Sequence, residues 1–406
     1  MTPGARLAAA AEILTEIAAR KAAADRALAA WGKAHRFAGS KDRAAIAERV
    51  YAVLRRRNEC AFRLNDESAR ALVIGSLAVV DGMSGDAIAA ICADGAHAIG
   101  ALTAAEQAAL FRAQAASEPW VRLNYPQWLH GQLSLAFADG LEREMRALNE
   151  RAPLDLRVNA LKATRPDVLR ELIDAGIAVT ELPHAPWGLR IAAGTDAKIT
   201  ALPAFAEGRL EIQDAASQRS VALAAAEPGE TVLDLAAGAG GKALALAAEM
   251  SNRGRVLVCD VEARRLMQLE PRIARSSATI IEGRGDPYGE DIKTAVGAGA
   301  DVVFIDAPCS GSGTWRRNPE AKWTLDEARL QTYRAAQVRL LDRAVDLVRT
   351  GGRLVFAVCS VLPCERQEPL DAFLKRHPGW RIDGVVDLTP GRDQTDGFFA
   401  ARLVAQ

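Results

Sequence analysis

The chain has 406 residues, a formal net charge of zero and 50% hydrophobic residues. This length predicts two or three domains, and the hydrophobic content excludes a globally disordered chain, because it is enough to form a packed core. The neutral total does not exclude a nucleic-acid partner, since residues 1–57 carry 12 lysines and arginines against 5 acidic residues. Such a stretch is either a solvated helix face or a surface for phosphate groups.

The six cysteines are spread through the chain, at positions 60, 92, 259, 309, 359 and 364. They do not form the dense disulfide framework of a small secreted protein. Glu12 and Glu16 interrupt the N-terminal stretch, which does not resemble a signal peptide. No apolar run approaches the roughly 20 residues that a membrane helix needs. We therefore expect a cytoplasmic protein with reduced thiols and no membrane partner.

Residues 1–140 are rich in alanine, leucine and arginine, and their apolar positions recur at helical spacing. In AERVYAVLRRR, for example, Val50, Val53 and Leu54 fall on one side of a helix. Turn signals such as FAGS and DGMSGD divide the region. The pattern predicts an all-helical domain of several packed helices.

Residues 141–204 predict a small α/β unit. LDLRVNAL is typical of a strand, and TRPDVLRELIDAG is typical of a helix with Pro166 near its start and Gly176 at its end. The following stretch, IAVTELPHAPWGLRI, predicts a strand, a loop and a second strand.

Residues 205–406 alternate between strand and helix patterns. The strands are continuous apolar runs, which is expected when helices cover both faces of a parallel sheet. In chain order, the predicted strands are ETVLDLA, GRVLVCDV, ATIIEG, ADVVFIDAP, GGRLVFAVCS and DGFFAARLVAQ. They indicate an α/β, doubly wound, Rossmann-like domain whose ligands bind at the carboxyl ends of the strands.

The first of these strands leads into a glycine-rich turn, DLAAGAGGKALAL. Gly238, Gly240 and Gly241 allow the backbone to turn sharply and to approach a ligand closely. Dinucleotides, phosphates and S-adenosylmethionine all use turns of this kind. Ala243 stands where a phosphate loop needs serine or threonine and where the dinucleotide fingerprint has its third glycine.

Aspartates follow the first three strands of this domain, at Asp234, Asp260 and Asp286. A carboxylate after the second strand is positioned to accept the hydroxyl groups of a ribose. One after the third strand suits an adenine amino group or a sugar. Each aspartate alone is more often a helix cap or a loop residue, but together they favour a nucleoside ligand.

The fourth and fifth strands each lead to a cysteine, Cys309 and Cys359. Adjacent parallel strands lie about 4.8 Å apart, so the two thiols would flank one pocket beside Asp306. This set suits methylation of a pyrimidine at C5: a thiolate adds to C6, the ring becomes an enamine, and C5 attacks a methyl donor. Asp306 would stabilise charge near N3. The residues alone do not decide which cysteine is the nucleophile.

Several motifs resemble, in order and spacing, those of the Nol/Nop/Sun (Fmu-type) family of RNA cytosine-5 methyltransferases. They are VLDLAAGAGGKALAL, FIDAPCSGSGTWRRNPEAKW, VFAVCSVLPCE and TDGFFAARL, with RVNALK and FAEGRLEIQDAAS upstream. AGSKDRAAIAERVYAVLRRR resembles the NusB-like helical RNA-binding domain of bacterial Sun-type rRNA methyltransferases. The resemblance implies a NusB-like domain at 1–140, a small α/β RNA-binding subdomain at 141–204 and a class I methyltransferase domain at 205–406.

The resemblance also implies S-adenosyl-L-methionine as the cofactor and gives each site residue a role. The cofactor would be held by Ala236, Ala237, Gly238, Ala239, Gly240, Gly241 and Lys242. Asp260 would bind its ribose and Asp286 its adenine end, and Asp306 would lie between the cofactor and the target base. Cys359 would be the nucleophile, and Cys309 would assist release of the product.

Some positions depart from the family pattern. Ala236, Ala239 and Ala243 replace a cysteine, a proline and a threonine of the first loop, and Val358 replaces the threonine before the nucleophile. Because the loop keeps two glycines and its lysine, we expect cofactor binding to survive. Cys364 stands where glutamate is common. We expect no zinc site at the three C-terminal cysteines, because no histidine lies nearby and the spacing matches no common finger.

The segment TWRRNPEAKW supplies cations and two tryptophans just beyond the fourth strand. Arg316, Arg317 and Lys322 are predicted to contact RNA phosphates, and a tryptophan is predicted to stack on a base. The alternative is a capped loop whose tryptophans pack inward. Arg157 and Asn159 are further candidates for RNA contact. The target base must be unstacked to reach a thiol at a strand end, so we expect a loop or bulge as the substrate.

We therefore expect a monomeric enzyme that methylates C5 of a cytosine in RNA, with 16S ribosomal RNA as substrate and partner. A tRNA cytosine-5 methyltransferase and a non-catalytic RNA-binding assembly factor are the alternatives. A dinucleotide-dependent oxidoreductase is disfavoured, because no catalytic lysine–tyrosine or histidine set follows the glycine-rich turn.

Overall fold

The computed structural model describes residues 1–111, 116–195 and 197–405. The chain divides into two compact units, one formed by residues 1–150 and 314–326 and the other by residues 151–313 and 327 onward. Within the described ranges, every helix is too short or too polar to span a lipid bilayer.

Helices form the first unit, and their apolar faces meet in one core. Val50, Val53 and Leu54 are all buried in it, which confirms the helical face predicted from their spacing. The helices continue to Asn149, beyond the predicted domain limit at 140. They are α1 (Pro3–Arg20), α2 (Ala24–Ala34), α3 (Ser40–Arg55), α4 (Arg57–Leu64), α5 (Ala69–Val79), α6 (Gly85–Cys92), α7 (Ala104–Phe111), α8 (Pro119–Arg122), α9 (His130–Phe137) and α10 (Leu141–Asn149).

The second unit begins with an antiparallel sheet in the order β2-β3-β1-β4. Its elements are β1 (Leu154–Val158), α11 (Arg165–Asp174), β2 (Val179–Glu181), β3 (Gly188–Ile191), α12 (Pro203–Ala206) and β4 (Leu210–Ile212). The Thr164 hydroxyl caps α11 by accepting from the Asp167 N–H, and Gly176 follows the helix with φ of 77°. The predicted helix is thus confirmed, and its start and end have the physical causes expected from the sequence.

A seven-stranded sheet follows, in the order β10-β11-β9-β8-β5-β6-β7. The five strands from β9 to β7 in this order are parallel, and β11 is antiparallel to both of its neighbours. The strands are β5 (Thr231–Asp234), β6 (Arg255–Cys259), β7 (Ile281–Gly285), β8 (Ala300–Asp306), β9 (Val348–Val358), β10 (Trp380–Leu388) and β11 (Phe398–Ala405). The doubly wound, Rossmann-like prediction is confirmed. The prediction did not include β10, and the last residue of the predicted final strand, 406, lies outside the described residues.

Helices cover both faces of this sheet. They are α13 (Ala215–Ala224), α14 (Gly241–Glu249), α15 (Ala263–Leu266), α16 (Glu270–Ser276), α17 (Glu290–Val296), α19 (Glu327–Val345), α20 (Gln367–Arg376) and α21 (Pro390–Asp393). The short helix α18 (Ala321–Thr324) belongs to the first unit. Successive β8 residues alternate between the two cores: Phe304 packs on one side, and Val303 and Ile305 pack on the other. This double burial explains why the central strands read as uninterrupted apolar runs.

The segment 314–326, which contains α18, folds with the helices of the first unit although it follows β8 in the chain. Trp315 is fully buried, and Trp323 is partly buried against the helical core. The Trp323 Nε1–H donates to the Leu54 carbonyl oxygen at 2.6 Å. The inward-packed alternative therefore describes both tryptophans.

Candidate active site

A cavity of about 570 Å³ lies at the carboxyl ends of β5, β6, β8 and β9, a volume typical of small-ligand sites. The structure brings most of the predicted site residues together in its lining. These are Ala236, Ala237, Gly238, Ala239, Gly241, Lys242, Asp260, Asp306, Cys309 and Cys359. Strand order explains this convergence, because the parallel strands place their carboxyl ends at one edge of the sheet.

The glycine-rich turn after β5 needs glycine for two reasons. Gly238 and Gly240 have φ of 57° and 79°, a region that residues with side chains seldom adopt. A Cβ atom at Gly240 would also lie 2.2 Å from Leu269 Cδ1. The turn therefore packs tightly against Leu269 on one side. Its backbone lines the cavity, where it suits an adenosyl ligand.

Asp260 ties this turn to the end of β6. Its Oδ2 accepts from the Gly238 N–H at 2.9 Å and from Arg265 Nη1 at 3.2 Å, and its Oδ1 accepts from the Glu262 N–H at 2.8 Å. Each carboxylate oxygen has two lone pairs, so Oδ1 keeps one acceptor position. That position fits a ribose hydroxyl group.

The far wall of the cavity follows β7. Asp286 is exposed and lies outside the lining, and its Oδ1 accepts from the Tyr288 N–H at 2.9 Å. Pro287 and Tyr288 line the cavity instead, together with Val261 and Leu340. This largely apolar wall suits the flat face of an adenine ring, and Asp286 orders the loop that provides it.

Lys242 and Asp306 form an ion pair inside the cavity, with Nζ and Oδ2 2.6 Å apart. Burial by itself lowers the pKa of Lys242, but the attraction of Asp306 outweighs it and the pKa is raised above its usual value. The lysine is therefore a charged donor held in the cavity lining.

Asp234 lies behind this pair at the end of β5 and is fully buried. Its Oδ1 accepts from the Ala236 N–H at 3.2 Å, while its Oδ2 has no hydrogen-bond partner within the described ranges. Burial, followed by repulsion from Asp306, raises the pKa of Asp234 to about 7. A buried carboxyl without full hydrogen bonding favours its neutral form.

The two predicted thiols meet in the cavity, with Cys309 Sγ and Cys359 Sγ 3.4 Å apart. The contact with Cys359, followed by burial, raises the pKa of Cys309 well above its usual value. The other four cysteines, including Cys364, are buried and lie outside the cavity lining. Of the thiols that the structure describes, these two alone reach the cavity.

The cavity also contains residues that the sequence interpretation missed. Gln213 donates to the Gly241 carbonyl oxygen at 3.2 Å, and Arg272 donates to the Ala239 carbonyl oxygen at 2.5 Å and to Glu211 at 2.9 Å. Gln213 and Glu211 lie in the FAEGRLEIQDAAS motif, which the sequence interpretation used only as part of a resemblance. They connect β4 and its neighbours to the glycine-rich turn.

Two predicted RNA-contact residues are buried instead. Arg157 is 5% exposed, and its Nε donates to Gln213 Oε1 at 2.7 Å. Burial lowers its pKa to about 10. Asn159 donates to the carbonyl oxygens of Gly208 and Ser276, both at 2.9 Å. These contacts correct the prediction: Arg157 links β1 to the residue after β4, and Asn159 links the four-stranded sheet to the end of α16.

Lys322 requires the same correction, because it is completely buried in the first unit. Its Nζ donates to the Asn124 carbonyl oxygen at 3.0 Å and to Asn149 Oδ1. Burial holds its pKa well below the usual value. Arg316 is only 6% exposed, whereas Arg317 is half-buried. Arg317 is therefore the most accessible of the three cations predicted in this segment.

Comparison with known proteins agrees with the fold and the cavity. A family model described as 16S rRNA methyltransferase RsmB/F matches residues 221–404, and one described as an RsmF/B-like ferredoxin-like domain matches residues 125–198. Ribosomal RNA small subunit methyltransferase B of Salmonella arizonae is 35% identical over 292 residues, which cover 70% of this chain and 67% of the relative. A probable ribosomal RNA small subunit methyltransferase B of Synechocystis is 32% identical over 300 residues, covering 69% and 66%. The chain thus spans about two thirds of the length of these curated relatives.

Solved structures show the same architecture. The crystal structure of PH0851 has a TM-score of 0.78 and 26% identity, and the match covers 100% of this chain and 99% of that one. A methyltransferase homologue from Pyrococcus horikoshii has the same fold, with a TM-score of 0.62 and 24% identity over 71% of this chain and 97% of that one.

The fold, the cavity at the strand ends and the family match define the class: a Rossmann-like methyltransferase whose cofactor is S-adenosylmethionine. Within that class, the chain belongs to the RsmB/F family.

Proposed function

We propose that this chain transfers a methyl group from S-adenosylmethionine to C5 of a cytosine in 16S ribosomal RNA. The main support is the pair of thiols, with Sγ atoms 3.4 Å apart, in the cavity that also contains the glycine-rich turn and Asp306. A thiol pair suits attack on a pyrimidine ring, whereas methylation of an exocyclic amine needs no thiol. The names of the relatives support small-subunit ribosomal RNA as the substrate.

In the proposed reaction, Cys359 attacks as a thiolate and its Sγ forms a bond to C6 of the unstacked base. C5 thereby becomes nucleophilic and forms the new carbon–carbon bond as the methyl–sulfur bond of the donor breaks, and the electron pair of that bond stays on the departing thioether sulfur. The bound cofactor supplies an electrophilic methyl carbon. A base then takes the C5 proton, which restores the C5–C6 double bond and expels the Cys359 thiolate. Cys309, the adjacent thiol, assists this release.

Asp306 and Lys242 stabilise the ring during this addition. Negative charge develops near N3 when the thiolate adds to C6, and the charged Lys242 Nζ, which donates to Asp306 Oδ2 at 2.6 Å in the same cavity, stabilises it. The cofactor would be held by the glycine-rich turn, with Asp260 at its ribose and the Asp286 loop at its adenine end.

The rest of the chain is proposed to hold the RNA. The helical first unit acts as the NusB-like RNA-binding domain, predicted at 1–140. The four-stranded sheet acts as the small RNA-binding subdomain, predicted at 141–204, ahead of the catalytic domain at 205–406. Arg317 and the arginine run Arg55–Arg57 are the cations of the first unit that we assign to this contact.

Labelled cofactor and undermodified small-subunit ribosomal RNA test the activity directly. We expect one labelled cytosine, located by bisulfite sequencing, and no label with Cys359→Ala. Absence of label from every cytosine would contradict the proposal. Label in tRNA alone would show that tRNA, and not ribosomal RNA, is the substrate.

The division of labour between the thiols needs a separate experiment. Cys309→Ala is expected to accumulate a covalent protein–RNA adduct, seen as a shifted band on a denaturing gel, because release is slowed. Cys359→Ala forms no adduct, and Cys364→Ala, whose thiol lies outside the cavity, behaves as the wild type. An adduct in Cys359→Ala alone would reverse the two roles.

A further inference from the structure

Glu365 is a completely buried acid in the turn that follows β9. Its Oε1 accepts from the Ser310 N–H at 2.8 Å and from Gln337 Nε2 at 3.3 Å. Its Oε2 accepts from the hydroxyl groups of Ser310 and Ser360, the latter at 2.6 Å. It forms no ion pair within the described part of the chain, so these four hydrogen bonds offset the cost of burying it.

The two serines occupy equivalent positions in the sequence: Ser310 directly follows Cys309, and Ser360 directly follows Cys359. One carboxylate therefore joins the loop after β8 to the loop after β9, immediately beside both thiols. Ser312 adds a second link, since its hydroxyl lies 2.9 Å from the Ser360 hydroxyl and accepts from the Val361 N–H at 3.0 Å. The two Sγ atoms, 3.4 Å apart, belong to the residues that directly precede Ser310 and Ser360 of this network.

We propose that Glu365 is a positioning residue that fixes the two cysteine loops relative to each other, and so sets the separation of the two thiols. The consequence for catalysis rests on the proposed function, in which both thiols act on one base. The positioning itself concerns only the protein and is testable without RNA or cofactor.

A carboxylate suits the role of joining the two cysteine loops. A carboxylate offers only acceptors, and here every neighbour is a donor. In Glu365→Gln the amide has one oxygen, and its NH₂ group would face either the Ser310 N–H or the two serine hydroxyls. In the first orientation the NH₂ group opposes two donors, the Ser310 N–H and Gln337 Nε2, and in the second both serine hydroxyls must turn round and accept. Burial raises the pKa of Glu365 because it disfavours the charged form. Burying a carboxylate at this place therefore costs free energy. A role in stability alone does not explain that cost, whereas positioning of the two loops does.

The first experiment compares Glu365→Gln, Glu365→Asp and a matched control, Glu368→Gln, whose exposed carboxylate pairs with Arg334. We expect kcat of Glu365→Gln to fall on the order of 10- to 100-fold, because small displacements of reacting groups are costly. KM for RNA and KM for the cofactor stay near wild type, and Glu365→Asp recovers part of the loss. An unchanged kcat in Glu365→Gln would overturn the proposal.

The second experiment measures the thiol pair alone. Diamide oxidises two adjacent thiols to a disulfide and takes up their two electrons and two protons, so formation of the Cys309–Cys359 bond, followed by peptide mass spectrometry, reports how often the sulfurs meet. We expect at least a several-fold slower reaction in Glu365→Gln and no change in Glu368→Gln. Equal rates in Glu365→Gln and wild type would overturn the positioning role, whatever reaction the enzyme catalyses.

Two serine variants keep the inference testable if Glu365→Gln does not fold. Ser360→Ala removes one donor from the carboxylate, and Ser310→Ala removes another. Each should slow disulfide formation, and their effects should combine non-additively because both act through Glu365. Slower disulfide formation without methylation at any cytosine would leave the positioning intact and refute the proposed function. Wild-type rates in both serine variants would refute the positioning.

Discussion

Three ionisable side chains meet at the end of β5, and their charges depend on one another. The Lys242–Asp306 contact of 2.6 Å keeps the lysine protonated despite burial. The same Asp306 adds to the effect of burial on Asp234, whose pKa rises to about 7. The site therefore contains a carboxyl group that exchanges its proton near neutral pH, next to the Lys242–Asp306 pair.

Replacing Asp234 with asparagine should change how stability depends on pH. The folded-state pKa is raised from 3.8 to about 7, so the extra proton stabilises the folded state fully below the unfolded pKa. This contribution is lost as pH rises through the folded pKa. The melting temperature of Asp234→Asn, relative to wild type, should therefore increase between about pH 4 and about pH 8. Thermal melts across this range test it, and a pH-independent difference would show that Asp234 does not titrate there.

Individual site residues differ in how far the sequence could reveal them. Cys309, Cys359 and Asp306 follow buried strands, so strand order alone brings them to one edge of the sheet. Glu365 gives no such signal, because it lies in a turn and its partners are residues of two separate loops. Lys322 is the opposite case, because its sequence signal was misleading. A lysine in a segment with two arginines indicates an RNA-binding surface, but packing in the folded protein buries its ammonium group.

At the scale of elements, the glycine-rich turn links β5 to α14 and lines the cavity. Gly240→Ala should weaken cofactor binding by about 10-fold or more, because its Cβ would lie 2.2 Å from Leu269 Cδ1 and would push the turn out of place. Gly229→Ala is the matched control. Gly229 has φ of 100°, yet a Cβ there meets nothing within 4 Å. Isothermal titration calorimetry with S-adenosylmethionine compares the two, and equal affinities would contradict this account.

The segment 314–326 stabilises the helical unit from within. Lys322→Ala should lower the free energy of unfolding by about 2–4 kcal/mol, because it takes the donor from a buried and a partly buried acceptor and creates a cavity. Lys41→Ala, at an exposed lysine of α3, should have little effect. Chemical denaturation measures both. The slope of log affinity for RNA against log salt concentration should be the same in Lys322→Ala and wild type. A shallower slope in the variant would show that Lys322 does contact a phosphate.

The elements missed from the sequence have identifiable causes. Strand β10 is an edge strand whose residues alternate between partly buried and exposed, and Asp383, Gly384 and Asp387 break its apolar run. The central strands were recognisable because both of their faces are buried. The short β4 has only three residues, too few to show a period.

At the scale of the whole molecule, the first unit is discontinuous in sequence. Its helices end at α10, but residues 314–326 return to it after β8, and the chain then continues in the second unit with α19. Composition and periodicity do not reveal such an insertion, because they describe only neighbours along the chain. A consequence is that neither unit is a contiguous fragment.

Deletion of residues 1–150 should therefore fail to give a well-behaved catalytic domain. The remaining chain would keep Trp315 and Trp323 without the helices that bury them, and Lys322 without both of its oxygen partners. We expect aggregation or dimers in gel filtration, since exposed tryptophans promote association. A second deletion variant, in which a glycine–serine linker of equal length replaces residues 314–326, should be monomeric and bind S-adenosylmethionine. If the simple deletion is equally soluble and its tryptophan fluorescence shows buried rings, residues 314–326 fold without the helical unit.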